Sequence, residues 1–168
     1  MIMEHVVLVD TADRVVGTAE KLHAHRAGVL HRAFSVVLLN AAGEMLLQRR
    51  ALSKYHSGGL WSNTCCGHPR PGESTRSAAE RRLREEMGLS CELAPHGAFV
   101  YHVPMSDGLV EHEYDHVLVG ISCDDPLPDA REAMSWRWAD PAAVAAEIVL
   151  APQRYTAWLP MVLERLHG

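Results

Sequence analysis

The stretch from Gly67 to Leu89 constrains this chain more than any other. It opens with a loop rich in Gly and Pro, Gly67-His68-Pro69-Arg70-Pro71-Gly72-Glu73, and runs into a strongly charged segment. Ser74 is suited to be the N-cap of a helix through Met87, and Gly88 ends it. On that helix Arg81/Glu85 and Arg82/Glu86 are i,i+4 pairs. Alone, such pairs describe a solvated face. Just ahead of the loop lies Trp61-Ser62-Asn63-Thr64-Cys65-Cys66. Cys66 and His68 bring a thiol and an imidazole within two residues. That pairing fits a metal site, a nucleophile with its base, or a buried cysteine beside a surface histidine, and it does not choose among them.

Composition narrows the classes. A chain of 168 residues is expected to form one domain, 1–168, with a core of useful size. A net charge of -5 argues against a nucleic-acid partner. Apolar runs such as Val36 to Leu39 are too short to span a bilayer. Acid appears early, at Glu4 and Asp10, and no signal-peptide pattern is present. The four cysteines, Cys65, Cys66, Cys91 and Cys123, include no C-x-x-C pair. The expectation is a reduced, cytoplasmic protein with no membrane partner, and a monomer in preference to an oligomer. The 11 histidines hint at metal without locating it.

Pattern along the chain reads as follows. Glu4–Asp10 is a strand, and Val15–Ala19 pairs back on it. Val36–Asn40 is a buried strand, with Glu44–Arg50 as its hairpin partner. Ala51–Gly59 is a loop over a pocket, and Leu60–Cys66 a short strand. Ala98–Val103 and Leu109–Ile121 are strands joined by a turn at Ser106-Asp107-Gly108. Asp124–Asp129 is a surface loop and Ser135–Ala139 a strand. Asp140-Pro141 opens a helix, and a last amphipathic helix covers about Tyr155 to Leu166. Period two puts Glu111 and Glu113 on one face of their strand and His112 on the other. The fold class is α/β, a mixed sheet between helices.

The residues Gly67, Glu73, Arg81, Leu83, Glu85, Glu86, Gly88 and Leu89 form the pattern G-x5-E-x7-R-x-L-x-E-E-x-G-L. It resembles the Nudix box, the loop–helix–loop that binds divalent metal and a diphosphate. One position departs: Arg82 stands where the usual box has a glutamate. A cation there repels metal and can hold a phosphate. Read with Cys66, the chain resembles the type I isopentenyl diphosphate isomerases from Glu4-His5-Val6 to Trp158, including Ala51 to Lys54, Tyr101 and Glu111-His112-Glu113.

That resemblance implies a Nudix-like single domain and a set of roles. His25, His31, His68, Glu111 and Glu113 are implied to hold one Mn2+, Mg2+ or Zn2+, a mixed N/O set with room for a sixth ligand. Glu86 is implied to hold a Mg2+ that accompanies the substrate diphosphate. Lys21, Arg50, Lys54 and Arg82 match the phosphate contacts. The implied partner is a small prenyl diphosphate, and the implied reaction converts isopentenyl to dimethylallyl diphosphate. It needs an acid on one side of an alkene, a base on the other, and walls that exclude water. By analogy Glu113 with Tyr101 delivers the proton, Cys66 as thiolate removes one, and Trp158 is the aromatic wall. Cys65 is the rival thiol, and Trp61 is a candidate second wall. A Nudix hydrolase of nucleoside diphosphate derivatives, or an inactive Nudix-like binding module, is the alternative.

Overall fold

One long strand organises the chain. In the computed structural model, which describes residues 3–167, the strands are β1 (His5–Val9), β2 (Val15–Glu20), β3 (His31–Leu39), β4 (Met45–Arg50), β5 (Trp61–Ser62), β6 (Cys65–Gly67), β7 (Ala94–Pro104), β8 (Val110–Ile121) and β9 (Ala133–Ala139). The domain expected over 1–168 reaches past the described residues at both ends. β3 pairs in parallel with β8, from His31↔Glu113 to Leu39↔Ile121. On its other side it pairs antiparallel with β6, where Ser35 meets Cys66, and touches β1 at Leu8↔His31. β7 and β8 form an antiparallel hairpin that registers Tyr101 opposite Glu113. The sheet is mixed, as expected.

Helices cover both faces. The helices are α1 (Lys21–Ala27), α2 (Thr75–Met87), α3 (Pro141–Leu150) and α4 (Leu159–Leu166). Along β3 side chains alternate between two cores. Phe34, Val36 and Leu38 meet Ala78, Ala79, Leu83 and Met87 of α2. Val37 faces the other way, into a core with Phe99, Val117, Trp158, Leu159 and Val162. α2 has the expected ends. Ser74 Oγ accepts from Ser77 N at 3.1 Å, and Gly88 adopts φ 65°. Its left-handed turn suits Gly, and a Cβ there would lie 2.7 Å from the Leu127 carbonyl.

Four expectations change. β4 is no hairpin partner along its length. It meets β3 only at Leu39↔Met45 and then pairs with β9 from Met45 to Arg50. The strand expected over Leu60–Cys66 is split, because Trp61–Ser62 pairs with β4 while Cys65–Gly67 pairs with β3. The last helix starts at Leu159 rather than Tyr155. Ahead of it Thr156 N donates to the Trp61 carbonyl at 2.9 Å, which holds that segment extended. α1 was not foreseen. Glu20 caps it by accepting from Leu22 N and His23 N, and Gly28 closes it at φ 69°. No helix of the described residues is long and apolar enough to cross a membrane.

Candidate active site

The expected site residues converge on one cavity of about 490 Å³. Its wall includes Lys21, Arg50, Lys54, Cys66, His68, Arg82, Glu86, Tyr101, Glu111, Glu113 and Trp158. His25 and His31 do not line it; they lie fully buried behind Glu111 and Glu113, which do. Each element has a local reason for its contribution. α1 is one turn past its cap when it presents His25, whose ring reaches back to the Lys21 carbonyl four residues earlier. β8 turns Glu111, Glu113 and Asp115 to one face by period two. β6 does the same for the thiols. Cys65 points into the α2 core, while Cys66 and His68 line the cavity, which separates the rival thiol from the site. Gly67 between them admits close packing, since a Cβ there would stand 2.8 Å from the Phe34 ring and 3.3 Å from Arg82 Cγ.

The imidazoles are oriented from behind. His25 Nδ1 donates to the Lys21 carbonyl at 2.7 Å, and His31 Nδ1 to the Val29 carbonyl at 2.8 Å. That leaves each Nε2 with a lone pair facing inward. Both Nε2 atoms are buried without a hydrogen-bond partner, and so is Glu111 Oε1. His25 Nε2 lies 3.2 Å from Glu111 Oε1, and His31 Nε2 lies 3.4 Å from Glu113 Oε2. His68 Nε2 donates to Glu113 Oε2 at 2.7 Å. Donor atoms of His25, His31, His68 and Glu113 all fall within 4.8 Å of one another, as do those of His25, His56 and Glu111. Buried polar atoms left unpaired cost roughly 1–3 kcal/mol each. A divalent cation would satisfy them together, so these His and Glu residues fit a divalent metal.

The groups expected to move protons differ in character. The Tyr101 hydroxyl donates to Glu113 Oε1 and, at 3.3 Å, to Glu111 Oε2. Burial opposes charge on Glu113, but contacts from Glu111, His31 and Tyr101 outweigh it and hold the carboxyl well below the usual range. Burial drives the Tyr101 phenol upward, with Glu113 and Glu111 adding to it. For Cys66, burial and then Asp115 push the thiol up to about 12. Its sulfur donates to Asn63 Oδ1 at 3.3 Å and lies 3.7 Å from Ser35 Oγ. Ser35 Oγ donates to Asp115 Oδ2 at 2.8 Å.

Carboxylates already hold most of the cations. Lys21 Nζ meets Glu4 at 2.9 Å and Lys54 Nζ meets Glu132 at 2.6 Å. Arg82 meets Glu85 and Glu86 at 2.6 Å each, and Glu132 at 3.2 Å. Arg50 has no such pair among the described residues. It is 7% exposed, its Nε is unpartnered, and its guanidinium lies 5.5 Å from the Trp158 ring centroid. Glu86 stands apart from the imidazoles, with Gln48 Nε2 donating to it at 3.1 Å. Trp158 sits at the N-cap of α4, not within it, and is 3% exposed. Trp61 is no second wall. It lies outside the cavity lining, packs on the α4-side core and carries Arg137 4.9 Å from its ring centroid.

Sequence reasoning missed Tyr55, His56, Asn63, Ser35, Asp115 and Glu132. Period two along β8 extends from Glu113 to Asp115 and would have found it. Tyr55 and His56 lie in an irregular loop, where no periodicity exists to read.

Comparison with known proteins bears on the family and the fold. The family model for the NUDIX domain matches residues 29–159. The isopentenyl-diphosphate Delta-isomerase of Burkholderia multivorans is 49% identical over 162 residues, covering 96% of this chain and 92% of that protein. That of Halorhodospira halophila is 52% identical over 165 residues, covering 96% and 94%. Among solved structures, a Deinococcus radiodurans protein superposes with TM-score 0.82 at 22% identity, covering 98% of this chain and 100% of that one. A MutT protein from Methanosarcina mazei gives TM-score 0.66 at 20% identity, covering 82% and 93%. These two bear on the fold alone. The model match and the sequence relatives together carry the assignment: the chain belongs to the Nudix domain family and, within it, to the isopentenyl-diphosphate Delta-isomerases.

Proposed function

We propose that this protein interconverts isopentenyl and dimethylallyl diphosphate, with Glu113 and Cys66 as its two proton stations. The observation that carries the reading is that a thiol and a carboxyl line one cavity whose rim is cationic. Moving the double bond requires a proton to be added at the terminal methylene carbon and another removed from the carbon nearer the diphosphate. Alkenes are feeble bases, so the intermediate has carbocation character and must be kept from water. Glu113, hydrogen-bonded by Tyr101, is the donor once it has taken up a proton, and Cys66 is the acceptor once its thiol has lost one to become thiolate. The charge of Arg50 favours the anionic form of the thiol. The buried indole of Trp158 offers its π face to the cationic intermediate, a contact of about 2 kcal/mol or more when desolvated.

His25, His31, His68, Glu111 and Glu113 would hold one divalent ion, of Mn2+, Mg2+ or Zn2+ type, and Glu86 a Mg2+ beside the diphosphate. Such ions supply Lewis acidity and neutralise phosphate charge. Lys21, Arg50, Lys54 and Arg82 bind the diphosphate oxygens, with Arg82 standing where a hydrolase keeps a carboxylate. That substitution favours isomerisation over the hydrolase alternative. Retention of both proton stations favours it over an inactive binding module. Four free thiols, Cys66 among them, suit the reducing cytoplasm. The test is incubation with isopentenyl diphosphate and Mg2+ or Mn2+ in D2O, followed by NMR. Dimethylallyl diphosphate carrying solvent deuterium is expected, with turnover lost in Cys66→Ala. Unchanged substrate from metal-loaded protein, or phosphate release from a nucleoside diphosphate derivative, would overturn the reading.

A further inference from the structure

The loop joining β4 to β5 carries a side chain that the expected ligand set does not include. His56 is 5% exposed, and its Nε2 lies 2.6 Å from Glu111 Oε1. His25 Nε2 is 3.2 Å from that same oxygen. Yet Glu111 Oε1 accepts no hydrogen bond from either ring. The atoms are close enough to share a proton, but their directions do not permit it. A nitrogen and an oxygen held this near without a shared proton repel unless something positive lies between them.

Donors around a common ion behave in this way. Each aims at the centre, and they are neighbours only because they share it. With metal–ligand bonds of about 2.0–2.2 Å, adjacent donors at right angles stand about 3 Å apart. The His–carboxylate separations that carry no hydrogen bond, 2.6, 3.2 and 3.4 Å, scatter around that value. His56 is also oriented from behind, with Nδ1 3.0 Å from Ser57 Oγ, as backbone carbonyls orient His25 and His31. His25 belongs to both clusters of donor atoms, so His56 and Glu111 join the remaining imidazoles through it. An ion that engages Glu111 Oε1 has His56 Nε2 as that oxygen's immediate neighbour.

We propose that His56 is the sixth donor of the divalent-cation centre, binding through Nε2 beside Glu111. This rests on the metal reading of the His/Glu cluster. One consequence concerns the substrate pocket. Lys54 lies two residues before His56 on the same loop and lines the same cavity. Cation binding therefore anchors the loop that carries a phosphate contact.

Mn2+ alone is the probe. The full chain and its His56→Gln, His56→Ala and His25→Ala variants are loaded with Mn2+, after circular dichroism has checked their fold. Pulsed EPR counts the imidazole nitrogens coupled to the ion, calorimetry measures Kd, and hydrogen exchange follows residues 52–58. Four coupled nitrogens are expected in the parent chain, from His25, His31, His56 and His68, with one fewer in both His56 variants. Kd should rise at least about 10-fold, in the range seen when a group orienting a metal site is lost, or beyond it. Mn2+ should slow exchange in the loop of the parent chain and not in the His56 variants. An unchanged nitrogen count in the His56 variants overturns the proposal even if Kd weakens, because a hydrogen-bonding neighbour of Glu111 would produce that. If only His25→Ala loses nitrogen coupling, the proposal fails and the metal reading survives. If no form binds Mn2+, both fail.

Discussion

Replacing Asn63 by Ala should unsettle the fold and the chemistry together, and the structure sets the size of the effect. Asn63 is fully buried between β5 and β6. Its Nδ2 donates to the Val36 and Cys65 carbonyls at 3.1 and 2.9 Å. Its Oδ1 accepts from Ser62 Oγ, Trp158 Nε1 and the Cys66 thiol at 3.0, 3.1 and 3.3 Å. Some partners keep alternatives. Val36 O retains Thr64 N, and Ser62 retains Thr156. Trp158 Nε1 donates to Asn63 alone among the described residues, so Asn63→Ala orphans a buried N–H, at about 1–3 kcal/mol. Two lost amide bonds add about 1 kcal/mol each, for a total of roughly 3–5 kcal/mol. At about 2–4 °C per kcal/mol for a chain of this size, Tm falls by roughly 6–20 °C. A double-mutant cycle isolates the indole. In a Trp158→Phe background the orphan no longer exists, so urea denaturation should show Asn63→Ala costing about 1–3 kcal/mol less. Additivity within about 0.5 kcal/mol would refute the claim that Asn63 and the Trp158 indole are coupled.

Three further outcomes are expected. Cys66→Ala should abolish deuterium incorporation by NMR with a small change in Tm, whereas Cys65→Ser should lower Tm by burying a hydroxyl against α2 and still turn over substrate; equal activity losses would undo the separation of the two thiols by β6. Glu132 tests the cationic rim: burial pulls its carboxyl up from 4.5, but Lys54 and Arg82 outweigh that and hold it at about 2. A folded pKa below the unfolded one gives stability that is complete above about 4.5 and lost toward 2, so the difference in urea midpoint between the parent chain and Glu132→Gln should narrow from pH 6 to pH 3, and a constant difference would contradict it. Adding Mn2+ at a hundredfold excess over Kd should stabilise the chelator-stripped protein by about 2.7 kcal/mol, read as a Tm rise of roughly 5–10 °C, and no rise would count against a cation satisfying the buried imidazoles.

What could be read from the sequence follows from how local each determinant is. The caps of α2 depend on Ser74 and Gly88, residues adjacent to the helix they bound, and both were legible. The facing of Glu111 and Glu113 depends only on strand periodicity, and it too was legible. The pairing of β4 with β9 was not, because it joins Leu46 to Trp138 across the intervening chain and no local pattern encodes it. α1 escaped notice for another reason. It is short and capped by Glu20, a residue less favoured at that position than Ser, Thr, Asp or Asn. His56 and Glu132 escaped because their roles arise from loops folding over a cavity formed by distant strands. For those residues, function is a property of the assembled pocket.

The charge arrangement of that pocket explains why Arg82 matters beyond its own contact. A carboxylate at its position would stand beside Glu85, Glu86 and Glu132 and leave a cluster of like charges that only cations could hold together. Arg82 bonds all three instead. Lys21 and Lys54 are paired with Glu4 and Glu132 in the same manner. On the proposed function, diphosphate binding would exchange partners: phosphate oxygens would take the place of carboxylates, and each displaced carboxylate would need a cation in turn. Glu86, nearly fully buried and bonded to Arg82, is the carboxylate least able to turn to water. On the proposed function, Glu86 would hold a divalent ion, and that ion would supply the charge that neutralises it. Arg50, whose guanidinium pairs with no carboxylate among the described residues and donates only to the His56 carbonyl, would on the proposed function have no ion pair to break.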